Sequence, residues 1–275
     1  MHDARRARVH ESLPPDGPFL EIGPLDTPML DKARFQVFYL DYLPTAGLRS
    51  KYAADPAVDQ DRIVEIDFIS AGNIPAAIPR SLRFNGIVAS HVVEHVPDLV
   101  AWLAQAREVL APGGILSLVV PDKRYTFDRA RAVSTIGEVL GASIERRARP
   151  GPVQIVQFFS SVVRFDLASA WAGTLGPHDL HPIHTLEQAI ELGQAASAGA
   201  YIDVHCWIHT PRSFLVILQA LARLGLAPFS LASFHDSARH DIEFSAALRR
   251  DDAPPETLAA SYDAWIAELP ADAPP

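Results

Sequence analysis

A doubly wound α/β fold built on a mostly parallel sheet is predicted by three features of the sequence. Residues 84–122, FNGIVASHVVEHVPDLVAWLAQAREVLAPGGILSLVVPD, read without a gap as strand, loop, helix, turn and strand. The runs that read as strands are almost wholly apolar, as strands buried on both faces are. Each gives way to a polar or turn-forming residue at its carboxyl end. A right-handed crossover sets those ends on one rim, where an open α/β sheet binds its ligand. The 275 residues suffice for one large domain with an insertion, and 48% hydrophobic against 21% charged residues describes an ordinary globular protein.

Residues 1–17 are polar, end in Pro14-Pro15-Asp16-Gly17 and read as a leader outside the sheet. Phe19-Leu20-Glu21-Ile22 is the first strand and Gly23 its turn. Thr27-Pro28 has the form of a helix start, an N-cap followed by proline at the first helical position. The second strand is read at 35–40 with Asp41 at its end, and the third at 63–67, ending in Asp67 beside Phe68. The fourth, 87–89, is closed by Ser90 and His91. Asp98 caps the next helix, in which Leu99, Trp102, Leu103, Ala106, Val109 and Leu110 recur at helical spacing and line one face. Pro112-Gly113-Gly114 stops it, and 115–120 is the fifth strand, closed by Pro121-Asp122. The partner helix of that strand is read only from Thr210-Pro211, with Phe214, Leu215, Ile217, Leu218 and Leu221 as its stripe and Gly225 at its end. Two last strands, 226–233 and 242–248, pair antiparallel at the edge, and 251–275 is an acidic tail.

The stretch SHVVEHVPD followed by VLAPGGILSLVVPD resembles the second half of a class I S-adenosylmethionine-dependent methyltransferase, and the likeness covers residues 18–122. It implies a Rossmann-like, seven-stranded, mostly parallel sheet with an insertion between strand 5 and its helix, and S-adenosyl-L-methionine as cofactor. It carries cofactor contacts to Glu21 and Gly23 at the first turn, Asp41 at the ribose, Asp67 and Phe68 at the adenine, and Ser90 and His91 at the rim. The residue types suit these roles: glycine admits a ligand close to the backbone, and one carboxylate accepts hydrogen bonds from both ribose hydroxyls. Plainer readings stand beside them, a tight turn at Gly23 and turn-forming acids at Asp41 and Asp67. After Gly23 the chain continues Pro24-Leu25-Asp26, without the further glycines of a pyrophosphate-binding turn. A nucleotide-dependent oxidoreductase, which would share the sheet and Asp41 but needs those glycines, is one alternative, and a non-catalytic methyltransferase-like partner protein, suggested by the reduced turn, is another.

The resulting division is a leader (1–17), a cofactor-binding half (18–122), an insertion (123–209), the remaining half of the domain (210–250) and the tail (251–275). An insertion above the ligand rim is where an acceptor pocket is shaped. At its start Lys123, Arg124, Arg129, Arg131, Arg146, Arg147 and Arg149 outnumber Asp128, Glu138 and Glu145, in a chain of net charge −9. That reversal reads either as a solvated basic face or as attraction for an anionic acceptor. Arg124, Tyr125, Arg129 and His209 are the candidate substrate contacts. From Tyr201 to His209 apolar and polar residues alternate, predicting an extended segment with Asp203, His205 and His209 on one side. Asp203 would orient His205 as general base, with His91 as the second candidate. His178, His181, His184, His205 and His209 crowd together, but their spacing fits no zinc pattern and no metal is expected.

The expected reaction is methyl transfer to a hydroxyl oxygen of a small acceptor, a sugar or related metabolite, because PDKRYTFD and HCWIHTPRSF resemble a bacterial subgroup associated with glycan assembly. Nitrogen and carbon acceptors stay open. The negative charge argues against nucleic-acid partners. No run of about 18 apolar residues predicts a membrane span, and Arg5, Arg6 and Arg8 precede no apolar signal core. Cys206 is the single cysteine, which rules out an intramolecular disulfide and predicts a cytoplasmic protein.

Overall fold

The computed structural model describes residues 2–272. Its strands are β1 (Phe19–Ile22), β2 (Val37–Asp41), β3 (Phe68–Ile69), β4 (Phe84–Ser90), β5 (Leu110–Pro121), β6 (Val163–Arg164), β7 (His181–Pro182), β8 (Phe229–His235) and β9 (Glu243–Arg250). The helices are α1 (His2–Ser12), α2 (Thr45–Lys51), α3 (Ile74–Ala77), α4 (Leu99–Val109), α5 (Ile136–Ile144), α6 (Pro152–Ser161), α7 (Leu167–Ala172), α8 (Leu186–Ser197), α9 (Pro211–Arg223), α10 (Pro255–Ala260) and α11 (Asp263–Glu268). Seven strands form one sheet in the order β3-β2-β1-β4-β5-β9-β8, while β6 and β7 pair in a separate ribbon. From β3 to β5 the neighbours are parallel, and β9 runs antiparallel to both β5 and β8. Chain order reverses at the β1–β4 junction, so a crevice opens at their carboxyl ends.

The period-two rule assigns the two faces of this sheet. Leu20, Ile22, Leu40, Ile87, Ala89, Leu116, Leu118 and Val120 point into one core, shared with α4 and α9. Their chain neighbours Phe19, Val37, Tyr39, Val88 and Val119 point into the other. The predicted stripes supply the cover of the first face. Leu99, Trp102, Leu103, Ala106 and Val109 are buried on α4, whose cap Asp98 accepts the N–H of Ala101 at 2.9 Å. Phe214, Leu215, Ile217, Leu218 and Leu221 are buried on α9, which starts at Thr210 with Pro211 in its first turn.

Cover for the second face comes from a segment that composition alone leaves outside. Residues 2–12 are a helix, α1, with Val9 only 1% exposed among Phe19, Met29, Leu30 and Val88. Arg5 forks onto Glu243 of β9, and Arg8 reaches Asp241 at 2.8 Å. The polar leader of the sequence reading is thus an amphipathic strap in which Arg5 and Arg8 are spent on buried acids and Arg6 on the Pro28 carbonyl. The acidic tail is likewise packed, with Leu258 and Tyr262 buried and the Tyr262 hydroxyl donating to the Phe229 carbonyl at 3.2 Å.

Strand boundaries shift where side chains take over ladder positions. Residues 63–67 are not the third strand; Val64 N–H donates instead to Leu25 O at 3.0 Å, and pairing with β2 begins only at Phe68. The segment 201–209 is not an alternating strand either. Tyr201 and Asp203 are exposed, but Val204, His205, Cys206, Trp207, Ile208 and His209 are all buried, so from 204 onward the segment has no solvent side. No helix among the described residues is long and apolar enough to cross a membrane.

Gly86 shows how closely α1 is seated. A Cβ there would lie 2.6 Å from Leu13 Cδ2 and 3.0 Å from the Phe19 ring. Gly86→Ala therefore overpacks this face, and urea unfolding should show a loss of about 1–3 kcal/mol, with a lower midpoint at an unchanged slope.

Candidate active site

A cleft of about 790 Å³ opens over the carboxyl ends of β1, β2 and β4, within the usual range of ligand sites, about 300–1,000 Å³. Glu21, at the end of β1, is 2% exposed and accepts the N–H groups of Met29 and Leu30 at 2.6 and 2.9 Å. Burial pushes its pKa up to about 7 against the pull of those two donors. Gly23 follows in the left-handed region, φ 68°, where a Cβ would also stand 2.9 Å from Val92 Cγ2. Both requirements select glycine. Asp41 ends β2, is 6% exposed, and accepts from its neighbour Tyr42 N–H at 2.7 Å. Burial raises its pKa, opposed by backbone donors at Tyr42 and Leu43. Ser90 and His91 complete this rim, and Leu48, Ile74, Val96 and Trp102 give the cleft an apolar wall.

Asp67 and Phe68 do not line the cleft. The Asp67 carboxylate accepts from Tyr39 N–H at 2.8 Å and holds the Lys32 ammonium at 2.6 and 2.8 Å, while Phe68 stacks on Phe38 with centroids 5.5 Å apart. Because β3 starts later than predicted, Ser70, Ala71 and Gly72 occupy the cleft wall there.

The histidines are paired differently from the sequence expectation. Asp203 does not orient His205. Asp203 Oδ1 lies 3.0 Å from His95 Nδ1, and His205 Nδ1 lies 2.6 Å from Asp128 Oδ2, whose other oxygen takes Arg131 at 2.6 Å. Both aspartates stay below the ordinary carboxylate range: burial opposes this, but the hydrogen bond and charge of the partner imidazole outweigh it. His95 and Asp203 line the cleft, whereas His205 sits behind the wall, edge-on to His95 at 4.7 Å. Between the two runs a short brace: Cys206 and Trp207 N–H both donate to Glu94 O, Trp207 Nε1 donates to Val96 O at 2.7 Å, and the Cys206 thiol to His95 O at 3.7 Å.

His91 has φ 54° and its Nε2 lies 2.7 Å from Glu243 Oε2. Glu243 is 1% exposed; burial would raise its pKa, but His91 and Arg5 together hold it below the ordinary range. The ionised carboxylate therefore accepts a hydrogen bond from His91 Nε2–H, which leaves the lone pair on Nδ1.

None of the four predicted substrate contacts reaches the cleft. Arg124 forks onto Asp122 and also meets Asp236 at 3.3 Å, Arg129 donates to the Arg124 carbonyl, and Tyr125 lies flat on Trp171 at 3.7 Å. His209 is 2% exposed against Phe214, with both ring nitrogens unpartnered. From the insertion, Ala148, Tyr201 and Asp203 line the cleft instead. Arg5, Lys51 and His95 also line it and were not anticipated; His95 stood inside the quoted SHVVEHVPD motif with no role attached.

A family model described as a methyltransferase domain matches residues 3–221. No curated protein sequence matches the chain. Among solved structures, the glycopeptide N-methyltransferase MtfA aligns at 21% identity over 44% of this chain and 53% of its own, with a TM-score of 0.32. The CcbJ methyltransferase from Streptomyces caelestis aligns at 14% over 90% of this chain and 95% of its own, TM-score 0.46. The CurJ carbon methyltransferase aligns at 14% over 92% of this chain and 54% of its own, TM-score 0.44. The aligned stretch thus covers about half the length of this MtfA structure and of the CurJ structure, while an MtfA structure complexed with S-adenosyl-L-methionine is covered over 92% of its length.

Burial lowers the pKa of His209 from 6.5 to about 3. The unfolded chain takes up this proton first as pH falls, so stability is lost below about pH 6.5. Between pH 7 and pH 5 the loss from this group is about 2 kcal/mol. In His209→Phe, which keeps a ring against Phe214, the difference between urea unfolding at pH 7 and pH 5 should shrink by that amount.

Proposed function

The chain belongs to the methyltransferase-domain family, and from that premise we propose that it moves a methyl group from S-adenosyl-L-methionine to a hydroxyl oxygen of a small acceptor, a sugar or related metabolite. It is a class I S-adenosylmethionine-dependent methyltransferase with the seven-stranded sheet of that class. The observation that carries the fuller reading is one cleft that gathers Gly23, Asp41, Ser90 and His91, the last held from behind by Glu243, at the point where strand order reverses.

The residues of the cleft fit this cofactor. Asp41 offers a buried carboxylate to the ribose hydroxyls beside the apolar Leu48, Ile74, Val96 and Trp102, which suit a flat adenine ring. Glu21 fastens the loop after Gly23 by its two backbone donors and so keeps the bare backbone of Gly23 at the mouth. Bound there, the cofactor supplies an electrophilic methyl group on a sulfonium.

A hydroxyl has to lose its proton as it attacks, and His91 is the base on this wall. Glu243 fixes its tautomer, so Nδ1 receives the acceptor's proton. The imidazolium that results lies between two carboxylates, Glu243 at 2.7 Å and Glu94 at 3.6 Å. His205 and Asp203, the first choice from sequence, give up this role because they are not paired and His205 is off the cleft. The insertion contributes the acceptor end through Ala148, Tyr201 and Asp203, and Lys51 is a cation of the cleft for an anionic acceptor.

Asp41→Ala should weaken S-adenosylhomocysteine binding by about 1.5–3 kcal/mol, roughly 10- to 150-fold, in calorimetry. Equal affinity of both proteins removes the ribose assignment. His91→Gln should lower kcat about 100- to 10,000-fold while cofactor affinity stays within about twofold. The assay is transfer of labelled methyl to a panel of hydroxyl, amine and carbon acceptors; a product methylated only on nitrogen or carbon refutes the hydroxyl reading.

A further inference from the structure

Glu94 is the most anomalous side chain of the molecule. It is 0% exposed, and neither carboxylate oxygen has a hydrogen-bond partner. A carboxylate desolvated in this way costs several kcal/mol unless a cation compensates it. The cations beside it are conditional: His91 Nδ1 at 3.6 Å and His95 Nε2 at 4.0 Å are charged only when protonated.

His95 and His205 converge on the same carboxylate, and one ligand atom from each of the three residues lies within 4.8 Å of the other two. In each imidazole Nδ1 is already committed, to Asp203 at 3.0 Å in His95 and to Asp128 at 2.6 Å in His205. A carboxylate on Nδ1 puts the proton there and leaves the Nε2 lone pair free, which is how metal-ligating histidines are set by their outer partners. We propose that Glu94, His95 and His205 bind a divalent transition-metal cation of the zinc class, through one carboxylate oxygen and two Nε2 atoms, with Asp203 and Asp128 orienting the rings.

Two imidazoles and one carboxylate select this class over magnesium or calcium, which take oxygen ligands. Ligand atoms around a tetrahedral zinc stand about 3.4 Å apart, so binding draws the three together by about an ångström. The scaffold beneath them is already tied, since Glu94 O receives the N–H groups of both Cys206 and Trp207. Three protein ligands leave a fourth position, and His95 brings the site to the wall of the cleft. If the methyl-transfer reading holds, that position receives the acceptor's oxygen next to His91; the metal site itself does not depend on that reading.

The test uses full-length protein carrying no histidine tag, stripped with a chelator and titrated with zinc alone against a chromophoric competitor. One zinc per chain is expected. Asp128→Asn should weaken it by about 10- to 100-fold, the usual cost of losing an outer partner, and Glu94→Gln and His205→Gln by at least as much. Cys206→Ser should bind zinc as the parent does. S-adenosylhomocysteine calorimetry on every variant checks that the fold and cofactor site persist. Absence of stoichiometric zinc, or zinc affinity unchanged in Glu94→Gln, overturns the site even where cofactor binding and methyl transfer are intact. Stoichiometric zinc lost in the ligand variants, in a protein that methylates no acceptor, upholds the site and overturns the acceptor reading instead.

Discussion

Glu243 is a buried carboxylate at the start of β9, the antiparallel strand between β5 and β8, and three distant parts of the chain meet on it. His91 from the end of β4 and Arg5 from α1 both donate to its side chain, while its backbone pairs with Pro121 at the end of β5. An anion at this depth is tolerable only because both donors are in place, so the helix over one sheet face, the orientation of the rim histidine and the last strand pairing form one interdependent set. The strap and the rim are therefore parts of the same construction.

Much of the fold was legible because it rests on local chemistry. The stripes of α4 and α9, the cap at Asp98, the Thr210-Pro211 start and the apolar runs of β4 and β5 all act within a few residues of sequence, and each appears where its pattern placed it. Gly23 and Asp41 were legible for the same reason: a turn needing φ above zero and an acid at a strand end are properties of the rim itself. The strap was less so. Val9 is a single apolar residue among arginines and histidine, and only a tertiary partner, the pocket of Phe19 and Met29 beneath it, reveals what the helix is for.

The candidate site was legible in its residue types and not in its pairings. Three histidines and four acids crowd at and behind the rim, and each of these imidazoles pairs with whichever carboxylate the backbone delivers. Period two assumed a strand with one wet face at 201–209, but the brace from Glu94 to Cys206 and Trp207 buries both sides. That brace sends Asp203 outward to His95 and turns His205 inward to Asp128. The same limit hid the Glu94, His95 and His205 group, in which the first two are adjacent but the third comes from a segment distant in sequence. The arginines of the insertion followed a similar rule: a surplus of charge in sequence says nothing of Asp122 and Asp236, which consume Arg124.

Cys206 lies directly behind His95, a residue of the cleft wall, and its chemistry has a consequence for an enzyme that handles an activated methyl group. A sulfonium methyl is an electrophile, and a thiolate is among the strongest nucleophiles a protein carries. Burial first, and then the nearby Asp203 charge, push the Cys206 thiol up to about 12, and its hydrogen is held by the His95 carbonyl. At neutral pH the sulfur is thus locked as a neutral thiol facing away from the chemistry. The chain keeps its one thiol protonated behind the cleft wall, a form of protection against self-modification built from nothing more than desolvation and a neighbouring carbonyl.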